Sequence, residues 1–163
     1  MREAKRVSSS QEGDNLLITI IPFQDKHRDD MLFCLLSAKD AIGGRLSINE
    51  DLFDIKENYL AKGDSFWLAI DETDRVVGML GVHVVSSTDM WLKRLYVKPS
   101  QKRKGIGSAL LAKAEEFAES RGVRVVHTRF SNDYKEAAEF YPSKGFVFYE
   151  EIEELNHLVK ILY

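Results

Sequence analysis

The sequence predicts an α/β (α+β) domain with a mixed, mostly antiparallel central sheet of about six to seven strands and helices on both faces. Three observations carry this. Short β-rich runs separated by polar turns fill residues 65–97, the pattern of an antiparallel meander. A run of helical periodicity between two later strands makes a crossover unit, which closes right-handed and pairs its strands in parallel. The 163 residues, 44% of them hydrophobic, match one domain over 1–163, large enough to bury about 70% of the unfolded chain's surface.

The elements follow in order. Residues 1–14 are polar and are expected to fray. Leu16 to Ile21 is β-rich and stops at Pro22, where a ladder would lose a donor. Met31, Leu32, Leu35 and Leu36 recur at helical spacing within Asp25 to Lys39, with Cys34 beside that apolar stripe. Asn49 to Ala61 reads as a second helix, acidic in its first turn and followed by Gly63. The strands Phe66 to Ile70, Val76 to Val85 and Met90 to Val97 come next, the first two joined by the turn 71–75. From Gly105 to Ser120 the pattern is helical again, with Ile106, Leu110, Ala114, Phe117 and Ala118 on one stripe and Gly122 as its cap. Val123 to Phe130 is a strand, Asp133 to Tyr141 a short helix, and Gly145 to Glu150 with His157 to Tyr163 a closing hairpin.

Composition removes several function classes. Lys and Arg number 23 against 26 acids, a net charge of -3, whereas nucleic acid or an anionic membrane demands a broad basic surface. The single cysteine excludes an internal disulfide, and four scattered histidines offer no metal-ligand spacing. No signal peptide or spanning segment is visible, so a cytoplasmic protein is expected.

Against this acidic background, Lys93 to Lys104 holds six cations (Lys93, Arg94, Lys98, Lys102, Arg103, Lys104) and no acid, immediately before Gly105-Ile106-Gly107. A helix start presents unpaired N–H groups and about half a positive charge, which suits phosphate. Two nucleotide folds place glycines between a strand and a helix, and both fail here. A Walker loop needs Lys and then Ser or Thr after its last glycine, where this chain has Ser108-Ala109. A dinucleotide fold needs a third glycine where Leu110 stands. A pyrophosphate site after an antiparallel meander remains.

These residues resemble the GNAT superfamily of acyl-CoA-dependent N-acetyltransferases. The family's loop, Q/R-x-x-G-x-G/A after a strand ending apolar-x-Pro, corresponds to Val97-Lys98-Pro99 leading into Lys102-Arg103-Lys104-Gly105-Ile106-Gly107, with Lys102 in place of Gln or Arg. A second pattern, aromatic-Tyr-x-x-x-Gly-Phe, corresponds to Phe140-Tyr141-Pro142-Ser143-Lys144-Gly145-Phe146. The resemblance covers residues 65–163 and implies acetyl-CoA as co-substrate, with no metal. It implies that the backbone of Leu95, Tyr96 and Val97 receives the pantetheine arm. Lys102 and the N–H groups of Arg103, Lys104, Gly105, Ile106, Gly107 and Ser108 would hold the pyrophosphate. Asn132 carries over as the family's Asn, two residues further from the Tyr than usual. The implied activity is acetyl transfer to a primary amine of a small molecule or peptide by direct attack in a ternary complex. The alternative is a non-catalytic CoA-sensing or interaction module of the same fold, and a homodimer stays open.

Acetyl transfer needs a neutral amine, yet at pH 7 a lysine-like amine with pKa about 10.4 is free in about one molecule in several thousand. It also needs a proton for the departing sulfur, the role the resemblance assigns to Tyr141. Pro142 is expected to end the helix early and re-aim that phenol. The base stays open among His83, His127, Glu57 and Asp89. Cys34 lies in an apolar run, which disfavours a covalent acetyl-cysteine route. Glu50, Asp51, Asp54 and Glu57 are the acids expected to attract a cationic amine.

Overall fold

The structure, a computed structural model, describes residues 5–7 and 17–163. Its sheet has eight strands in the order β1-β2-β3-β4-β5-β6-β8-β7. Strands β1 (Lys5–Val7), β2 (Ile18–Pro22), β3 (Ser65–Ile70), β4 (Val76–Val84) and β5 (Asp89–Val97) pair antiparallel in sequence order. Then β6 (Val125–Ser131) joins β5 in parallel, and β8 (Leu155–Ile161) sits between β6 and the edge strand β7 (Val147–Ile152). Seven strands match the sequence reading. The eighth, β1, falls in the stretch expected to fray and pairs its three residues with Ile18, Thr19 and Ile20, filling an edge of unpaired N–H and C=O groups. The rest of that stretch, and the strand residue Leu16, lie outside the described residues.

Helices cover both faces, as predicted. On one side α1 (Arg28–Ala41) buries Met31, Leu32, Cys34 and Leu35 against Phe66, Leu68 and Met79. Burial pushes the Cys34 thiol up to about 12, so it stays a neutral core group. On the other side α3 (Ile106–Ser120) and α4 (Lys135–Ser143) pack on Leu80, Val82, Met90, Val126 and Leu158. Close contact between α3 and β4 depends on Gly78, where a Cβ would stand 2.9 Å from Ile106 Cγ2 and 3.0 Å from Leu110 Cδ1.

Two elements differ from expectation. The helix predicted over 49–61 is broken into a 3-10 turn at Glu50–Phe53, α2 (Ile55–Asn58) and a second 3-10 turn at Leu60–Lys62. Asp54 leaves helical geometry at φ -142° and its carboxylate accepts the Glu57 N–H at 3.0 Å, restarting the helix. The spacing still holds, since Leu52, Ile55 and Tyr59 are all buried. The second difference is Pro142, which does not end its helix: α4 continues to Ser143. In a last turn the proline costs a single backbone bond, and the Tyr141 carbonyl accepts from Lys144 and Phe146 at 3.0 and 3.1 Å to close the end.

The feature that positions the site is the parallel pair. Strands β5 and β6 pair only from Asp89–Trp91 against Val125–His127. Beyond Trp91 they separate.

Candidate active site

Where β5 and β6 part, a cavity of about 890 Å³ opens between them. Three sets of residues concern the site: the loop that follows the C-terminal end of β5, Tyr141 of α4 with Tyr134 just before that helix, and a charged aromatic group near Trp91.

The loop begins at Val97, paired with Gly78, and Lys98, whose N–H donates to the Val77 carbonyl at 2.8 Å. After the 3-10 turn Pro99–Gln101 the chain turns through left-handed geometry at Arg103 (φ 63°) and at Gly105 (φ 79°), the residue that caps α3. Ala109 is the first α3 N–H to bond back into the helix, to Gly105 O at 3.0 Å. The N–H groups ahead of it are the ones a helix start leaves without intrahelical partners. Gly107, in the first turn, faces Phe140 at 3.4 Å and Val97 at 3.9 Å from an ideal Cβ position. Of the loop cations, Lys102 is not free to move: its ammonium donates to the Glu136 carboxylate of α4.

Strand β5 carries a bulge just before that loop. Met79 pairs with Tyr96 and Gly81 with Lys93, so Arg94 and Leu95 together oppose Leu80. Arg94 takes φ 61° there. Its guanidinium holds the Asp51 carboxylate with Nε at 3.2 Å and Nη2 at 3.0 Å, and Tyr59 OH donates to the same carboxylate at 2.6 Å. Burial pushes the Asp51 carboxyl up, but hydrogen bonds from Arg94 and Tyr59 outweigh it and hold the group below the usual carboxylate range. The Tyr59 ring stacks on His83 with centroids 4.4 Å apart, and His83 Nδ1 lies 2.8 Å from Asp64 Oδ2.

Tyr141 lines the cavity and is 6% exposed. Phe130 stacks on its ring at 5.7 Å, and Phe140 and Phe146 pack edge-on at 5.2 and 5.3 Å. Burial pushes its phenol up to about 12, against an opposing hydrogen bond with the Thr128 side chain. Tyr134 lines the same cavity, its phenol also pushed up to about 12, chiefly by burial.

Near the other end of β5, Met90 and Leu92 join the α3-side core, so Trp91 and Lys93 point to the opposite face. There the Trp91 ring stacks with His127 at 4.8 Å and His157 at 4.7 Å. The Arg129 guanidinium and the Lys93 ammonium sit 4.9 and 5.6 Å from its centroid. Burial, then Arg94 and Arg129, push the Lys93 ammonium below its ordinary range.

The sequence-predicted residues therefore fall into two groups. Leu95, Tyr96 and Tyr141 line the cavity; Val97 and the 102–108 loop are not among its lining residues, the loop following β5 after the 3-10 turn Pro99–Gln101. Asn132 does not line it: its side-chain amide donates to Glu151 at 2.8 Å, tying the β6–α4 corner to β7. Of the four base candidates His83 alone is a lining residue. His127 is held between Asp89 at 2.5 Å and His157 at 2.9 Å, and Glu57 is exposed on α2. None of Glu50, Asp51, Asp54 and Glu57 lines the cavity. Sequence reasoning missed Tyr134, Trp91, Lys93 and Arg129 as lining residues. Tyr134 had a signal, as an aromatic inside the predicted helix Asp133 to Tyr141, though in the structure it is the cap just before α4. Trp91 and Lys93 are two apart on a strand, but Arg129 reaches them only through the crossover.

Over residues 62–148 the chain matches the acetyltransferase (GNAT) domain family. It is 32% identical over 107 residues to N-acetyltransferase 8 of Homo sapiens, covering 62% of this chain and 47% of that protein. An uncharacterized N-acetyltransferase of Methanocaldococcus jannaschii is 36% identical over 69 residues, 42% of this chain and 30% of that protein. The chain thus spans about half, or less, of these relatives' length. Two solved structures share the fold. A GNAT-family acetyltransferase of Staphylococcus aureus Mu50 superposes with TM-score 0.83 at 22% identity, over 90% of this chain and 99% of that one. PaiA N-acetyltransferase of Thermoplasma acidophilum, solved in complex with coenzyme A, gives 0.74 at 19% identity, over 88% and 98%.

Proposed function

The chain belongs to the GNAT acetyltransferase family, and from that membership we propose that it is an acetyl-CoA-dependent N-acetyltransferase acting on a primary amine by direct attack. One observation carries the proposal. The buried phenol of Tyr141 lines the gap that opens where β5 and β6 stop pairing, and the glycine-rich start of α3 lies one short loop beyond the end of β5. A slot between strands suits a long, thin arm, and the N–H donors and cations of the loop after β5 suit an anionic head.

Acetyl-CoA supplies an activated acyl group when bound. The N–H groups of Arg103 to Ser108 hold its pyrophosphate, with the loop cations screening the charge. The backbone of Leu95 to Val97, left without a β6 partner, takes the pantetheine amides as a further strand would. Tyr141 keeps its proton at neutral pH, because burial pushes the phenol up to about 12, and delivers it to the sulfur as the C–S bond breaks. The amine forms the new C–N bond and gives its own proton to solvent or to His83, the one candidate base that lines the cavity. His83 is oriented for this by Asp64 and by the Tyr59 ring.

A thiol-release screen with a broad amine panel tests the reading. At least one amine should be acetylated, and Tyr141→Phe should lower kcat by about 10²-fold or more while acetyl-CoA still binds. Acetyl-CoA binding with no thiol release across the panel, or an unchanged kcat in the variant, would overturn it in favour of a CoA-binding module.

A further inference from the structure

The lining of the cavity is cationic, within a chain whose net charge is -3. Lys62, Lys93, Arg94 and Arg129 all line it, against a single lining acid, Asp133. Arg94 is neutralised by Asp51. Lys93 and Arg129 form no ion pair among the described residues; both rest on the Trp91 ring instead. An indole face is a weak partner for a cation, worth about 0.5–2 kcal/mol. An indole face accepts no conventional hydrogen bond, so it leaves the N–H donors of both side chains open to an anion.

These two cations do not belong to the pyrophosphate site. Lys93 precedes Val97, where the loop starts, by four residues, a separation of about 13 Å along an extended strand. Their placement is also opposite to what an acceptor of uniform positive charge would need. Lys93 already feels the penalty: burial and its neighbours Arg94 and Arg129 favour its neutral form, and an incoming anion would relieve it.

We infer that the acceptor is a primary amine carrying a carboxylate or equivalent anion close to the amine, with Lys93 and Arg129 as the groups that hold that anion. This rests on the acetyltransferase reading of the same site. The arrangement serves the chemistry as well as recognition. Positive charge near an ammonium favours its neutral form, and the neutral amine is the nucleophile. The cationic wall therefore anchors one end of the acceptor and helps free the other.

The test compares matched acceptors by thiol release: an α-amino acid, its primary amide, the amine lacking the carboxylate, and phosphoethanolamine. The anion-bearing amines should exceed the amide and the decarboxylated amine in kcat/KM by about 10²-fold. Whichever of carboxylate and phosphate leads identifies the anion. In Lys93→Met and Arg129→Met, which keep volume and packing on Trp91, that ratio should fall to within a few-fold of one, through KM more than kcat. Preference for an amine without an anion, or a ratio untouched by both variants, overturns the inference while thiol release from any of the acceptors leaves the enzyme reading standing; acetyl-CoA binding with no thiol release from any of them overturns both. Failure to bind acetyl-CoA overturns both.

Discussion

The two ends of β5 carry the two halves of the site, and they are built in opposite ways. At the C-terminal end the strand runs through Val97 into one short loop and the first turn of α3, so contiguous residues make the proposed phosphate cradle. Toward the other end Trp91, Lys93 and Arg94 meet His83 of β4, Arg129 of β6 and Asp51 and Tyr59 from residues 50–62. Backbone chemistry organises the first region and side-chain packing the second. A local cradle survives changes elsewhere, whereas an assembled wall fails when any one support is removed.

The largest expected effect tests that asymmetry at Gly81, under the assembled wall. A Cβ there would stand 2.6 Å from Phe66 Cδ2 and 2.7 Å from Tyr59 Cε1, and both rings are buried with no room to retreat. Gly81→Ala should cost about 2–3 kcal/mol, seen as a fall of several degrees in Tm. It should raise acceptor KM through the displaced Tyr59 while acetyl-CoA affinity at 25 °C changes less than about three-fold. Equal losses at both sites would break the comparison.

A smaller effect is expected from Asp51→Asn, which leaves Arg94 partly buried without its carboxylate. Because the pair is still a quarter to a third exposed, at 31% and 24%, the loss should be about 1–2 kcal/mol. The Asp51 carboxyl is held below the usual carboxylate range when folded. Its contribution is therefore present above about pH 4 and disappears as pH falls through the lower, folded value. Tm measured against pH should show wild type and variant separated at pH 7 and converging below about pH 4. A constant separation would mean that Arg94 draws nothing from that charge.

The smallest effect belongs to the cradle. Lys102 is engaged by Glu136, so Lys102→Gln, which restores one of the family's usual residues, should change acetyl-CoA affinity by no more than about two- to three-fold by calorimetry. A tenfold loss would show that the ammonium leaves Glu136 for phosphate.

Legibility followed the same division. The meander, the crossover and the glycine loop could be read because each depends on a few adjacent residues: Gly105 caps α3 at positive φ, and Ile106, Leu110 and Ala114 bury one stripe. Even the place of Tyr141 at the cavity was readable, within one short pattern. Local rules gave way where tertiary contacts decided. Asp54 broke a helix whose apolar spacing was sound, and Pro142 was absorbed in a last turn. The acids over 50–57 looked like an amine-attracting face, but Asp51 is committed to Arg94, 43 residues away. The cationic wall was not legible, because Arg129 and Lys93 become neighbours only after β6 crosses back beside β5.

The central claim is that the start of α3 holds the pyrophosphate of acetyl-CoA, and Gly107→Glu tests it most directly. The new side chain starts without a clash, since an ideal Cβ at Gly107 meets its nearest neighbour at 3.4 Å, and a carboxylate in a helix's first turn suits the dipole. Acetyl-CoA affinity measured by calorimetry on the folded variant should fall by about 100-fold, near 2.7 kcal/mol, with Tm within a degree or two of wild type. Unchanged affinity in a folded Gly107→Glu protein would contradict the account.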